Sequence, residues 1–122
     1  MYLAFEIVTV PRLTPMTVSR LKVLGREVES IAKSLCPVDT GALKRSIRTY
    51  LDGNSLVIEA DEDYASFVEY GTIKQDPQPF LQPAILATQA EILDTVVESQ
   101  KDFERVIRDI VVLNAVVNSI KQ

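Results

Sequence analysis

The sequence predicts an α+β domain in which a small antiparallel sheet, an N-terminal strand plus a β-hairpin, is packed by three helices. These are a long N-terminal helix, a short helix and a long C-terminal helix. Three patterns carry this prediction: a period of two at the N-terminus, a 3-4-3-4 apolar spacing from residue 21 to 35, and an Asp-Gly-Asn signal between two alternating runs. At 122 residues, with 47% apolar and 25% charged content, the chain is expected to form one domain over 1–122.

Tyr2–Val10 alternates, with Leu3, Phe5 and Ile7 on one side and Ala4, Glu6 and Val8 on the other, which predicts a half-buried strand ended by Pro11. The stretch carries Glu6 and lacks a basic lead-in, so it does not read as a secretory signal. Thr14-Pro15 has the form of a helix cap followed by a first-turn proline. Apolar residues at 21, 24, 28, 31 and 35 then mark one face of an amphipathic helix. Gly25 falls inside it, where glycine costs about 1 kcal/mol relative to alanine, and points to a close packing contact. Cys36-Pro37 stops the helix, and Asp39 or Thr40 is expected to cap a short turn through Gly41, Ala42 and Leu43.

Ser46–Leu51 and Leu56–Ala60 flank Asp52-Gly53-Asn54-Ser55 and form the expected hairpin. Asp61-Glu62-Asp63 precedes a short helix over Tyr64–Tyr70, closed by Gly71-Thr72. Residues 73–80 hold Pro77 and Pro79 and read as an extended loop. Gln82–Val117 keeps helical spacing, with apolar residues at 85/86, 92/93, 96/97, 103, 106/107, 110 and 113, as one helix or two; Val111–Val117 is β-branched enough that a terminal strand is the alternative. Unbroken, such a helix would be roughly 50 Å long, more than a domain this small covers, so residues 100–122 are read as an extension for subunit contacts.

The composition leaves little room for chemistry. There is no histidine and one cysteine, Cys36, so His-dependent triads, a disulfide within the chain and thiolate zinc sites are excluded. The acidic cluster Asp61, Glu62, Asp63 and Glu69 is the one grouping with metal-ligand character, but consecutive carboxylates diverge, and a solvated helix start is the simpler reading. No enzyme activity, no metal and no cofactor is expected, and no apolar run is long enough to span a bilayer.

Charge is segregated. Residues 1–48 hold eight Lys/Arg against four Asp/Glu, and residues 49–122 hold five against thirteen, within a net charge of −4. Arg20, Lys22 and Arg26, with Lys44, Arg45 and Arg48, form a candidate basic contact face. Nucleic-acid readers carry net positive charge and interleaved aromatics. With a pI near 4.8 and no Trp, at most non-specific contact with nucleic acid is expected.

Three phrases occur in order: Cys-Pro-Val-Asp-Thr-Gly-Ala-Leu-Lys-Arg-Ser-Ile (36–47), Tyr-Ala-Ser-Phe-Val-Glu-Tyr-Gly-Thr (64–72) and Pro-Gln-Pro-Phe-Leu-Gln-Pro-Ala (77–84). In this order, with a helix before the first and after the last, the chain resembles the neck and tail-completion (head–tail joining) family of long-tailed bacteriophages and prophages. The resemblance covers about 15–120; each phrase alone is weak, and the three together are specific. The strand before the first helix and the segment past Ser99 depart from the family pattern. The resemblance implies a non-enzymatic virion protein of the neck, assembled in the host cytoplasm. It would form a six- or twelve-fold ring that joins or completes the head–tail connection around the DNA channel. Its implied partners are other copies and the head-closure, tail-terminator or tail-tube proteins. The motif residues it marks for the fold or for subunit contact are Asp39, Thr40, Gly41 and Leu43 in the first phrase and Tyr64, Glu69, Tyr70, Gly71 and Thr72 in the second. In the third they are Pro79, Phe80 and Pro83. Glu69 and the 73–80 loop are the strongest candidates for subunit contacts. The alternatives are a tail terminator capping the tail tube and, in a different class, a small acidic regulatory or anti-host binding protein.

Overall fold

A computed structural model describes residues 3–121, with side chains described through Lys101 and at Glu104, Arg105 and Arg108. Strand β1 (Leu3–Thr9) leads into helix α1 (Pro15–Leu35) and the short helix α2 (Ala42–Ser46). The hairpin β2 (Ile47–Asp52) and β3 (Ser55–Ala60) follows, then α3 (Ala65–Tyr70) and the long α4 (Leu81–Lys121). The sheet is antiparallel with order β1-β3-β2, so the last strand in sequence lies in the centre. The expected α+β architecture is therefore present.

Local chemistry explains each element. Asp52 pairs with Ser55, leaving a two-residue loop in which Gly53 has φ 59 and Asn54 stays negative, the pattern of a type II′ turn. The expected alternation of β1 breaks at a bulge between Glu6 and Val8. One extra residue re-aims the strand, so Ile7 and Val8 both lie half-buried against the core instead of on opposite faces. Thr14 caps α1, its Oγ1 accepting from Thr17 N at 3.2 Å, and Pro15 takes the first helical position.

Helix α1 buries Thr17, Leu21, Gly25, Val28 and Ala32, with Leu24 and Ile31 at the margin. Leu35, expected on this face, is 46% exposed because it is the last helical residue before the chain turns at Pro37. Gly25 packs closely on the sheet: a Cβ there would stand 3.0 Å from Thr49 Oγ1 and 3.3 Å from Leu56 Cδ1. Beside α1 runs α4, antiparallel to it, with Thr17 Oγ1 and Ser99 Oγ sharing a buried hydrogen bond of 2.6 Å. The two helices close a core of Val28, Ala32, Ile58, Phe80, Leu81 and Ile92. At roughly 25 cal/mol per Å² of buried apolar surface, side chains of this kind each contribute about 2 kcal/mol.

Two expectations for α4 change. The helix is a single run to Lys121, so the terminal strand over 111–117 does not form. Its buried face is also not the one with the largest side chains. Ala84, Thr88, Ile92 and Ser99 are buried while Leu86, Leu93 and Val97 are at least half exposed. Small and hydroxyl residues permit close helix packing; Thr88 Oγ1 satisfies itself on Ala84 O at 3.0 Å. The apolar positions expected at 103, 106 and beyond lie outside the described side chains.

Candidate functional site: an inward hub and an outward groove

The three phrases meet in space. Residues 37–43 form one wall of a groove of about 650 Å³, and Tyr64, Phe67 and Val68 of α3 form the other, with Thr72, Gln75 and Gln78 at its end. Asp39, Thr40, Gly41 and Leu43 are all in the lining. Gly41, rather than Asp39 or Thr40, is the residue that caps α2: its φ of 83 is a left-handed conformation that lets the chain re-enter a helix sharply. Thr40 assists from one residue earlier, its Oγ1 accepting from Ala42 N at 3.3 Å.

Behind the groove lies a buried carboxylate. Glu69 is 3% exposed, and its two oxygens accept three backbone N–H bonds. Phe80 N (2.8 Å) and Leu81 N (3.0 Å) donate to Oε2, and Gln82 N (2.9 Å) donates to Oε1. Helix starts leave their first N–H groups without intrahelical partners. Here Pro83 has no N–H to satisfy, and Glu69 takes the three donors before it, with its negative charge at the positive end of the α4 dipole. Gln78 N adds a bond to Val68 O at 2.8 Å. The second and third phrases are thus one device that starts α4. Phe80 plugs it as the largest fully buried side chain described.

Between hub and groove, Gly71 (φ 78, ψ 179) turns the chain where a Cβ would sit 2.8 Å from Pro77 N and 2.9 Å from Gln75 O. Thr72 and Gln75 pair across the tight turn that follows. Tyr64 lines the groove and Tyr70 does not. It packs edge-on against Phe5 of β1 with ring centroids 6.5 Å apart. Pro79 is exposed, and Pro83 lies in the first turn of α4.

The basic residues divide into separate settings. Lys22 and Arg26 line a groove beside β2, and Arg26 joins Lys33 and Lys44 in a second one. Arg20 lies on the other flank of α1 with Val23 and Thr95. Arg45 extends over Gly41, its Nη1 donating to Thr40 O at 3.5 Å. Arg48 is committed to Glu59, which is 4% exposed on the sheet face away from α1 and also accepts from Tyr50 Oη at 3.1 Å. That carboxylate raises the Arg48 guanidinium above its ordinary value, first by hydrogen bonding and then by charge.

Groups with reactive potential do not converge among the described residues. Cys36 is buried, its thiol pushed up by desolvation and its S–H donating to Pro37 O at 3.4 Å. Asp61 and Asp63 are exposed while Glu69 faces inward, and no described group of three His, Cys, Asp or Glu could hold a metal ion. No described helix is long and apolar enough to cross a membrane.

The signal that sequence reasoning missed was the role of Glu69. Residues 78–80, Gln-Pro-Phe, offer no Ser, Thr, Asp or Asn to cap the helix that follows, so its N–H groups require a partner from elsewhere.

No curated protein and no solved structure matches the chain. Residues 16–71, from α1 through the Gly71 turn, match the HK97-gp10-like family, described as "Bacteriophage HK97-gp10, putative tail-component", a phage tail family consistent with the neck and tail-completion resemblance of the three phrases.

Proposed function

We propose that this chain is a non-enzymatic structural subunit of the phage neck that joins or completes the head–tail connection. It does so as a six- or twelve-fold ring around the DNA channel, in the virion. The observation that carries the reading is the match of residues 16–71 to a phage tail-component family. Two features support it. Segregated charge suits copies that meet basic side to acidic side. Helix α4 continues about 33 Å past Ser99, where it hydrogen-bonds Thr17 of α1, a length greater than a domain this small needs for its own core. The mechanism is shape and interface: rings stack, complete the joint and leave a channel. Lys22, Arg26 and Lys44 meet either the acidic half of a neighbour or the DNA lumen.

Co-assembly with the portal, head-closure and tail-tube proteins of the same particle tests the role. Stoichiometric incorporation at the head–tail junction is expected, and particles that join normally without the chain would contradict it. If the chain instead hydrolysed phosphoesters with a divalent metal, and lost that activity on Asp61→Ala with Asp63→Ala, the non-enzymatic reading would fail.

A further inference from the structure

Ile73 is fully exposed, the largest exposure of any large apolar side chain described. It is not on a loose loop. Thr72 N donates to Gln75 O at 2.8 Å and Gln75 N donates back to Thr72 O at 3.3 Å. Lys74 N donates to Thr72 Oγ1 at 3.2 Å, and Gly71 is wedged against Pro77 on the entering side. The turn is therefore a small rigid knob with an apolar tip. Rigidity matters because a preorganised segment loses little conformational entropy on binding.

The groove of residues 37–43 and α3 is its complement in the same molecule. Val38, Tyr64 and Phe67 are 64%, 41% and 55% exposed around it, a cluster of large apolar side chains in a concave setting. Its volume of about 650 Å³ has ample room for one isoleucine side chain. Its apolar surface is bordered by Asp39 and Glu62, and the residue next to the apolar tip of the knob is Lys74. Apolarity and charge therefore match between the Ile73 tip and the groove, which lie side by side on one surface, the turn's own Thr72 and Gln75 forming the end of the groove.

We infer that the Ile73 turn of one copy docks into the Val38–Tyr64–Phe67 groove of a second copy, with Lys74 beside the acidic border. The inference rests on the proposed self-assembly and names the contact that drives it. A knob and groove on one chain explain why the first two phrases line an open groove instead of closing it, and why a fully exposed isoleucine is held so firmly.

The test mixes two full-length variants, Val38→Cys in one chain and Ile73→Cys in an isotopically labelled other, under mild oxidation. A disulfide between position 38 of one chain and position 73 of the other is expected, identified by peptide mass. In parallel, Ile73→Asp should weaken self-association in sedimentation velocity roughly tenfold or more, the equivalent of losing a buried aliphatic side chain, with thermal unfolding unchanged. Lys74→Glu should weaken it less, and Asp39→Lys should restore the loss. Assembly of Ile73→Asp at wild-type strength, or no 38–73 link in a mixture that does assemble, would overturn the docking and leave the ring standing. A wild-type chain that stays monomeric at all concentrations would overturn both. Occupation of the groove by a different neck protein while copies stay apart would overturn the docking.

Discussion

Glu69 and Phe67 are two residues apart in α3, and they live under opposite rules. Glu69 points inward, is 3% exposed and has three backbone partners; Phe67 points outward, is 55% exposed and lines an open groove. A charged residue is buried and an aromatic one is solvated, the reverse of the usual sorting. The buried charge is tolerated because the α4 N-terminus supplies three donors and a favourable dipole. The exposed aromatic has no such internal reason, which is why the groove is read as a surface for a partner. One short helix thus builds the fold with one side and lines an open groove with the other.

The contrast breaks most sharply at the hub. Glu69→Ala removes the acceptor for three N–H groups at the start of α4, two of them on fully buried residues, and should destabilise by about 3 kcal/mol in urea unfolding. Glu69→Gln keeps acceptor capacity on one oxygen and should cost about half of that. Gly71→Ala should cost about 2 kcal/mol, since it forces a side chain into φ 78 against Pro77. On the groove side the expected result is the opposite. Phe67→Ser should change unfolding by no more than about 0.5 kcal/mol while weakening association, because more than half of the Phe67 side chain is exposed in the groove. A large loss of stability there would mean that the two sides of α3 are not divided as described.

A smaller effect tests charge on the helix layer. Glu27 of α1 faces Glu91 of α4, and repulsion from Glu91 raises the Glu27 carboxyl above its ordinary 4.5. Between 4.5 and the raised value the folded chain holds a proton that the unfolded chain releases, so stability falls as pH rises through that window. Glu27→Gln should therefore raise the thermal midpoint slightly at neutral pH, and the gain should vanish below about pH 4.5. A gain that persisted in acid would point to a cause other than the carboxylate pair.

Much of the fold was legible because it is written in local chemistry. Thr14-Pro15 announces α1, Gly53 the hairpin and Pro37 the break between helices, each through the backbone conformation it permits or forbids. What was not legible depends on distance in the chain. Glu69 finds its donors 11 to 13 residues away, through space and on backbone atoms that have no letter in the sequence. The bulge in β1 depends on register with β3, and the buried side of α4 depends on how closely α1 approaches. For that reason the sequence does not separate Ile85 and Ile92 from Leu86 and Leu93, nor mark Thr88 and Ser99 as buried. The site was legible only as three phrases. Their division into a hub and a groove required the fold. The family match ends at residue 71, so Glu69 lies within it while the N–H groups it holds lie outside.

Native mass spectrometry of the full chain across a concentration series, alone and with the proposed neck partners, tests the central claim most directly. A closed assembly of six or twelve copies is the predicted result. A chain that remains a monomer or dimer at high concentration and in the presence of those partners would contradict it.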